Sequence, residues 1–441
     1  MAVVSGGFMS FPLRLRLALL CASALGMSVS HAASPHAVPS LSLEEAAALA
    51  TTHAHDAENT RGAVEAAVQM AVAAGQLPDP VLKVGLNNVP TDGPDKFSLT
   101  RESMTMRSVS VMQEFTRSDK RRARAARFEA EAASADAQRM VGMTNVQRSA
   151  VAAWIDRWYA ERAAALLASH EQPLSLTLEA ANAAYRSGRG TRADVLSAQF
   201  EVQKLRDREN ENQAALDTAN VNLTRWIGTD ASRPLGDPPA LTVPDRVAQL
   251  ARSHFDGVPE VAAAQRDVAL AESEIRVADE ARKPDVSLEL MYSQRGSAYS
   301  NLASINVSIP LPWDRANRQD REVAARLAQA TAARAKAEMI RRDTDAVVGA
   351  RLAELRRNLE RLKRYDDATL PLTNAQAEAA LTAYRANAGS LQAVADANHR
   401  VIDTSLERLS LEQRTTRLWA ELTFLTPLPT AQTEPANKDL P

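Results

Sequence analysis

The chain has 441 residues, and its 52 lysines and arginines nearly balance its 54 aspartates and glutamates, which gives a formal net charge of −2. This balance provides no basic surface for a nucleic acid, and a single cysteine, Cys21, excludes a disulfide framework or a thiolate metal site. Aromatic residues are only 4% of the chain while alanine is abundant, which favours close packing of helices over a large globular core.

The N-terminus has the pattern of an export signal, because two arginines precede an apolar run over residues 17–29 that ends in small residues. We predict a signal peptide over residues 1–33. Cys21 follows Leu20, a poor match to the small residue that precedes a lipidated cysteine, and its lipidation stays open. No later stretch has the roughly 20 apolar residues that a transmembrane helix needs.

Residues 41–74 predict a helix, which Ser42 and Glu45 open as a capping box and Pro78 ends. The pattern then changes to period two over two segments separated by a polar loop, which predicts a β-hairpin with strands of about 8–10 residues. Its apolar face comprises Leu82, Val84, Leu86, Val109, Val111 and Phe115.

A proline-free run over residues 116–172 predicts the first long helix. We place a turn at residues 169–174, where a proline stops the helix. A returning helix follows, which is interrupted at residues 188–190 and extends to Trp226. Residues 228–244 are rich in Pro, Gly and Asp, and they predict a linker between two halves of the chain.

The second half repeats this order, beginning with a second predicted hairpin. Its apolar residues are Val286, Leu288, Leu290, Tyr292, Ile305, Val307 and Ile309. A second long helix over residues 313–370 would measure roughly 85 Å, and we place its turn at residues 369–373. Its apolar seam has the alternating spacing of a coiled coil: Val348, Leu352, Leu355, Leu359 and Leu362.

Three landmarks recur in the same order, each displaced by about 200 residues: the proline-containing segment before each hairpin, the long helix, and an Ala-Tyr-Arg motif after it. We interpret this recurrence as an internal duplication. The first repeat spans residues 34–240 and the second spans residues 241–426. The polar residues 427–441 predict a disordered tail.

The strand pattern has two interpretations: the half-buried sheet of a soluble protein, or the apolar-out, polar-in strands of a transmembrane β-barrel in an exported chain. Four strands cannot close a membrane barrel, since the smallest have about eight. An open edge in lipid would leave backbone groups without partners. If these strands span a membrane, several chains must pool them.

Six segments stand out along the chain: Leu77-Pro78-Asp79-Pro80, Met104-Thr105-Met106-Arg107, Gln113-Glu114-Phe115, Lys120-Arg121-Arg122, Tyr185-Arg186-Ser187-Gly188 and Asp194-Val195-Leu196. Together they resemble the TolC-like outer-membrane efflux family, and within it the CzcC-type members that serve heavy-metal pumps. The resemblance covers nearly the whole chain after the signal, and the last two segments correspond to an equatorial turn. The second copy departs from the pattern at Ala395 and Asp396.

The resemblance implies an α+β membrane protein that forms a homotrimer in the outer membrane of a Gram-negative bacterium. Three chains would contribute four strands each to a twelve-stranded β-barrel, and their long helices to a coiled-coil α-barrel in the periplasm. The protein would be a passive exit duct without cofactor or catalysis, served by a proton-driven inner-membrane pump of the RND type and a periplasmic adaptor. Heavy-metal cations are the expected cargo, with drugs and other organic compounds as the alternative.

The alternation predicts which strand residues face outer-membrane lipid and which face the lumen. The predicted lipid-facing residues are Val109, Val111, Val286, Leu288, Leu290, Ile305 and Val307. The predicted lumen-facing residues are Ser108, Ser110, Ser287, Glu289, Asn306 and Ser308. A polar lumen lets hydrated ions pass without ligands, and selectivity would then belong to the pump.

The two turns predicted after the long helices would meet at the periplasmic end, where an adaptor docks. The candidate contacts are Gln172, Pro173, Leu174, Leu370, Pro371 and Leu372. The candidate gate residues are Arg364, Tyr365, Asp366 and Asp367. The alternatives are tight turns that face water and ordinary solvated charges at a helix end.

Two other functional classes receive less support. No Gly-rich phosphate loop, His/Cys cluster or Ser–His–Asp pattern indicates an enzyme. A periplasmic adaptor or coiled-coil scaffold would carry one helical hairpin between β-rich modules, whereas this chain has two hairpins. Met104, Met106 and Met112 offer the thioether ligands that copper or silver prefers, although packing is the commoner role of methionine.

Overall fold

The computed structural model describes residues 39–53 and 55–428, so the predicted signal peptide and most of the predicted tail lie outside the described residues. The helices are α1 (Leu43–His53), α2 (His55–Ala74), α3 (Ser118–Arg186), α4 (Arg192–Ile227), α5 (Asp245–Arg252), α6 (Pro259–Ala281), α7 (Gln319–Arg364), α8 (Leu370–Arg385) and α9 (Leu391–Thr423). The strands are β1 (Val81–Asn87), β2 (Met106–Phe115), β3 (Val286–Gln294) and β4 (Leu302–Ser308).

The four strands form one antiparallel sheet in the order β1-β2-β3-β4. Both predicted hairpins are confirmed, with Val84 opposite Val109 in the first and Leu290 opposite Ile305 in the second. Pairing of β2 with β3, in which Val111 lies opposite Leu290, joins the two hairpins. Within the described residues, the outer edges of β1 and β4 have no neighbouring strand.

The first long helix continues past the predicted turn at residues 169–174. α3 is a single helix of 69 residues with Pro173 inside it, about 100 Å long. A proline in a helix interior costs about 3 kcal/mol. However, Leu167 and Leu174 are buried against Leu205 of α4, and burying one such side chain contributes about 1.5–3 kcal/mol. The predicted turn is wrong because this packing outweighs the local effect of the proline.

The second long helix also passes its predicted turn at residues 369–373. α7 leads through a π turn at Tyr365–Thr369 directly into α8. In this turn the Leu370 N–H donates to the Tyr365 carbonyl, one residue further back than in an α-helix. Such a turn widens the helix and accommodates Pro371, which lacks an N–H and crowds the carbonyl four residues earlier. This predicted turn is therefore wrong as well.

The helices reverse direction at residues 187–191 and 386–390 instead. Gly188 and Asn387 have φ angles of 70° and 55° there, the left-handed conformation that commonly ends a helix. A threonine or serine N-cap then opens each returning helix. The predicted interruption of the first returning helix is thus the apex of the α3/α4 hairpin, and α8 and α9 form a second helical hairpin.

The main hydrophobic core lies around Trp154, close to the midpoint of α3. Trp154 is fully buried together with Leu223 of α4 and Leu422 of α9. Its indole Nε1–H donates to the Leu41 carbonyl at 3.0 Å, and Leu41 pairs with Leu235 in a short parallel bridge. The N-terminal and inter-repeat segments are therefore anchored at mid-height of the helices.

The predicted apolar seam of the second long helix contributes to the same core. Val348 and Leu355 are buried in it, while Leu352 and Leu359 are half-buried against it. Leu362, at the end of the seam, is also buried. The spacing of four and three residues therefore identified the packing face of α7 correctly.

Candidate functional site

The sheet separates apolar from polar side chains by face. Residues directly opposite each other in an antiparallel pair point to the same face. One face carries Val109, Val111, Val286, Leu288, Leu290, Ile305 and Val307, together with Leu82, Val84 and Phe115. The other carries Ser108, Ser110, Ser287, Glu289, Asn306 and Ser308. Which face meets lipid and which meets a lumen stays a prediction.

The apolar face is the exposed one in the single chain. Val84 and Ile305 are 75% and 71% exposed, whereas Ser110 and Ser293 on the polar face are only 4% and 1% exposed. A one-sided sheet in a water-soluble protein has the opposite arrangement, with its apolar face packed on the core. The chain therefore shields its polar face along the two central strands, whereas Asn306 and Ser308 of the outer strand β4 are exposed. It leaves its apolar face in need of a partner other than water.

Hydrogen bonds tie the polar face together across the strands. Ser110 Oγ donates to Glu289 Oε1 at 2.6 Å, and Lys83 Nζ lies 3.3 Å from the same oxygen. Asn87 Nδ2 donates to Ser108 Oγ at 2.7 Å. The charges of Lys83 and Glu289 therefore compensate each other on this face.

An ion pair between Lys120 and Asp285 fixes the end of the sheet to the helices. Lys120, in the first turn of α3, donates to Asp285 Oδ2 at 2.6 Å and to the Lys283 carbonyl at 3.0 Å. The backbone N–H of Arg117 donates to Asp285 Oδ1 at 3.1 Å. Burial raises the pKa of Asp285, but these hydrogen bonds and the Lys120 ammonium outweigh burial and hold the pKa below its ordinary value. Sequence reasoning missed this pair, because no local pattern relates residues so far apart.

The predicted gate residues Arg364, Tyr365, Asp366 and Asp367 lie at and beside the π turn, not at the end of the helices. About 20 residues of helix, roughly 30 Å, separate them from the turn at residues 386–390. Tyr365 Oη donates to Glu407 Oε2 at 3.2 Å, and Arg408 Nε donates to Asp366 Oδ1 at 2.6 Å. Burial, and then the Glu407 hydrogen bond, raise the pKa of Tyr365. These contacts join the π turn to α9; a role in gating stays a prediction.

The predicted adaptor contacts Gln172, Pro173, Leu174, Leu370, Pro371 and Leu372 all lie within helices. Leu174 is buried and unavailable to a partner, whereas Gln172 and Leu372 are exposed. The sequence does contain the signal of the actual turns, a glycine or asparagine followed by a Thr or Ser cap. The predicted turns are misplaced because a proline is the stronger local signal against a helix, although packing allows both prolines to lie inside helices here.

The three methionines that could bind a soft metal do not converge on one ion. Met106 and Met112 share the polar face of β2 but lie six residues apart, about 20 Å. Met104 precedes the strand, and Lys83 Nζ lies 3.6 Å from Met112 Sδ. In residues 39–53 and 55–428, no group of three or more His, Cys, Asp or Glu side chains is placed to hold a metal ion.

No helix of the described residues is both long enough and apolar enough to cross a bilayer.

Sequence comparison gives one partial relative. No family model matches the chain. Protein CyaE of Bordetella pertussis is 30% identical over 185 residues, which cover 39% of this chain and 39% of CyaE. The alignment therefore reaches well under half of the length of that relative.

Solved structures match most of the chain at low sequence identity. The outer membrane protein VceC from Vibrio cholerae matches with a TM-score of 0.72 at 16% identity, over 87% of this chain and 95% of VceC. The CmeC outer membrane channel of Campylobacter jejuni gives 0.71 at 11% identity, over 88% and 87%. The open state of the MtrE outer membrane channel of Neisseria gonorrhoeae gives 0.68 at 14%, over 87% and 88%. The predicted fold class is confirmed: the chain has the fold of these outer-membrane proteins, with long helices and a four-stranded antiparallel sheet.

Proposed function

We propose that the chain forms the exit channel of a tripartite efflux system, as a homotrimer in the outer membrane of a Gram-negative bacterium. The observation that carries this proposal is the sheet, whose apolar face is exposed on all four strands while its polar face is shielded along the two central strands, β2 and β3. Large exposed apolar patches on a protein mark interaction surfaces. In a bilayer this face meets acyl chains, and the fold shared with outer-membrane proteins supports that environment.

The two free edges of the sheet are the reason for proposing several copies. The outer edges of β1 and β4 carry backbone groups without a strand partner in the described chain, and such groups are costly in the core of a bilayer. Three copies that pair β4 of one with β1 of the next close a barrel of twelve strands, above the minimum of about eight. The polar face then lines a water-filled lumen that hydrated solutes cross without ligands.

We place the contact with a periplasmic adaptor at the end of the helices opposite the sheet, around residues 187–191 and 386–390. Leu176 of α3 and Leu196 and Phe200 of α4 lie in the two helices that lead to the first turn, and each is more than half exposed. Replacing Leu196 and Phe200 with Asp is expected to lower resistance to the exported compound while trimer remains in the outer membrane. Unchanged resistance would place the adaptor contact elsewhere on the helices.

The cargo that we propose is a heavy-metal cation, driven by an inner-membrane RND-type pump. Its support is the resemblance of the sequence segments to CzcC-type members. Deletion of the gene is expected to raise sensitivity to divalent heavy metals more than to dyes and antibiotics. The plasmid-borne gene should restore resistance. The reverse order of sensitivities would favour an organic cargo in the same channel.

The channel itself is tested with the purified full-length protein. We expect a trimer by native mass spectrometry in detergent, and discrete conductance steps when the trimer is added to planar bilayers. Membrane-inserted trimer without conductance would contradict the channel. A protein that stays soluble and monomeric without detergent would contradict the membrane placement altogether.

A further inference from the structure

A short apolar segment between β4 and α7 has no packing partner in the described chain's core. Residues 309–313 read Ile-Pro-Leu-Pro-Trp, and Ile309, Leu311 and Trp313 are 51%, 73% and 92% exposed. The other four tryptophans of the chain are buried or half-buried in the main core. Trp313 is therefore the exception, and its ring needs an explanation outside the single chain.

The register of the sheet gives the level of this segment. Ser308, the last residue of β4, lies opposite Ser287 of β3, so Ile309 continues to the level of Val286. Phe115, which ends β2, lies opposite Val286 and is itself nearly half exposed. Both repeats therefore carry an exposed aromatic ring at the end of the sheet that adjoins the long helices.

The opposite end of the apolar face is also bounded by aromatic rings. Tyr292 lies on the apolar face near the end of β3, and Phe97 and Tyr299 lie in the two loops beyond it; all three are substantially exposed. The apolar stretch from Val286 to Tyr292 on β3 spans about 20 Å along its strand. An apolar band of about 25 Å between two aromatic girdles is the pattern of a protein seated in an outer membrane.

The chemistry of the segment suits the boundary between acyl chains and headgroups. Pro310 and Pro312 have no backbone N–H, so the segment loses two donors that would otherwise need partners where water is scarce. Directly after Trp313, the chain becomes ionic, with Asp314 and Arg315 both exposed. Tryptophan is enriched at such boundaries because its ring is apolar and its N–H is polar.

We propose that residues 309–313 form an interfacial membrane anchor, with the Trp313 ring at the boundary between acyl chains and headgroups on the periplasmic side. This inference rests on the proposed channel, because the sheet must lie in the bilayer for the segment to reach that level. The anchor fixes the height of the junction between β4 and α7 relative to the membrane. A second copy of the chain covering Trp313 is the competing outcome of the test.

The test uses the assembled protein in vesicles of phosphatidylcholine brominated at shallow or deep acyl positions. The emission of Trp313 is obtained as the difference between the wild type and Trp313→Phe, which keeps an aromatic ring. We expect this difference emission to be quenched more by shallow bromines than by deep ones, and quenching by lipid to be largely lost in the variant. Quenching by aqueous iodide instead would place the ring in water, and quenching by neither would place it against protein; each result overturns the anchor.

A second label guards against misfolding of the tryptophan variant. Leu311→Cys carries a bimane fluorophore in the same segment, and the only native cysteine, Cys21, lies in the predicted signal peptide. Shallow bromines should quench this label as well. Planar-bilayer conductance of the same samples separates the two proposals: conductance without lipid quenching refutes the anchor alone, whereas absence of conductance from inserted protein refutes the channel.

Discussion

The same kinds of apolar side chain are buried in the helical body and exposed on the sheet. Around mid-height of the helices, Trp154 and Leu355 are fully buried within the chain. On the sheet, Val84 and Ile305 are mostly exposed, whereas Ser110 and Ser293 in the middle of the opposite face are buried. In both regions, the apolar spacing in the sequence identifies the face that avoids water. Only the structure shows whether other side chains of the chain cover that face, as in the helices, or leave it exposed to another medium, as on the sheet.

The largest expected effect comes from placing a charge in the helical core. Leu355→Asp buries a carboxylate without a partner where the wild-type side chain is fully buried. Truncating a buried Leu to Ala already costs about 2–5 kcal/mol, and the charged variant should lose more. We expect no heat-resistant oligomer on a gel, whereas Ala353→Asp, at an exposed position on the same helix, should retain it. Equal heat resistance of Leu355→Asp and the wild type would refute the packing of this seam.

A charge on the sheet should have an effect that depends on the face. Ile305→Arg places a guanidinium on the apolar face and is expected to cost about 2–4 kcal/mol if that face lies near mid-bilayer. Asn306→Arg, one residue away on the polar face, should be nearly neutral because it faces water. The two variants are compared by urea-induced unfolding in vesicles. Similar losses for both would mean that the two faces meet the same medium, and the contrast with the helical body would disappear.

The junction between the two regions should depend on pH. Asp285→Asn removes the charge that Lys120 binds and should cost about 1–3 kcal/mol at neutral pH. Since the folded state lowers the pKa of Asp285, the stabilisation is complete above the unfolded-state pKa of about 3.9 and is lost as the pH falls through the lower folded value. Unfolding free energies of wild type and variant should therefore converge in acid. Asp237→Asn, an exposed site, serves as the control, and a gap that persists in acid would contradict the pair.

The smallest expected effects distinguish the two helical turns. Thr191 and Asp194 form a reciprocal capping box, with N–H···O distances of 3.2 and 2.8 Å, whereas Ser390 makes one capping bond of 3.2 Å to the Ala393 N–H. Each cap contributes about 1 kcal/mol. Thr191→Ala should cost more than Ser390→Ala, because the Thr191 hydroxyl both accepts from the Asp194 N–H and donates to Asp194 Oδ2 at 2.7 Å. Hydrogen exchange in the first turns of α4 and α9 measures both. Faster exchange in the Ser390 variant would reverse the ranking.

The sequence alone is sufficient to predict an element of the fold where the pattern is local and repeated. Alternation predicted all four strands, because a slip of one residue would move every side chain to the wrong face. The spacing of Val348, Leu355 and Leu362 likewise predicted the packing face of α7. Fold recognition from these elements was possible because helix, hairpin and long helix recur in order.

The sequence alone is insufficient to predict the structure where a contact with a distant residue overrides a local preference. Pro173 is unfavourable in a helix, yet Leu174 beside it packs against residues of α4 and α9, and these contacts cannot be read from the segment itself. The Lys120–Asp285 pair is equally non-local. For the candidate site, the membership of each sheet face was predictable, but the burial of the serines on the two central strands required the three-dimensional arrangement.

The π turn in the second long helix has a consequence for symmetry. One additional residue in a helical turn rotates everything beyond it by about 100°, so the apolar row that ends at Leu362 does not continue along the same side of α8. None of the side chains of α8 is buried in the chain, whereas the matching part of α3 buries Leu174 and Ala181. Between the core and the turns at residues 187–191 and 386–390, the first helix of each hairpin is therefore rotated differently about its own axis. In the proposed trimer, the six hairpins would alternate between two kinds of surface, and the ring at that end would have threefold and not sixfold symmetry.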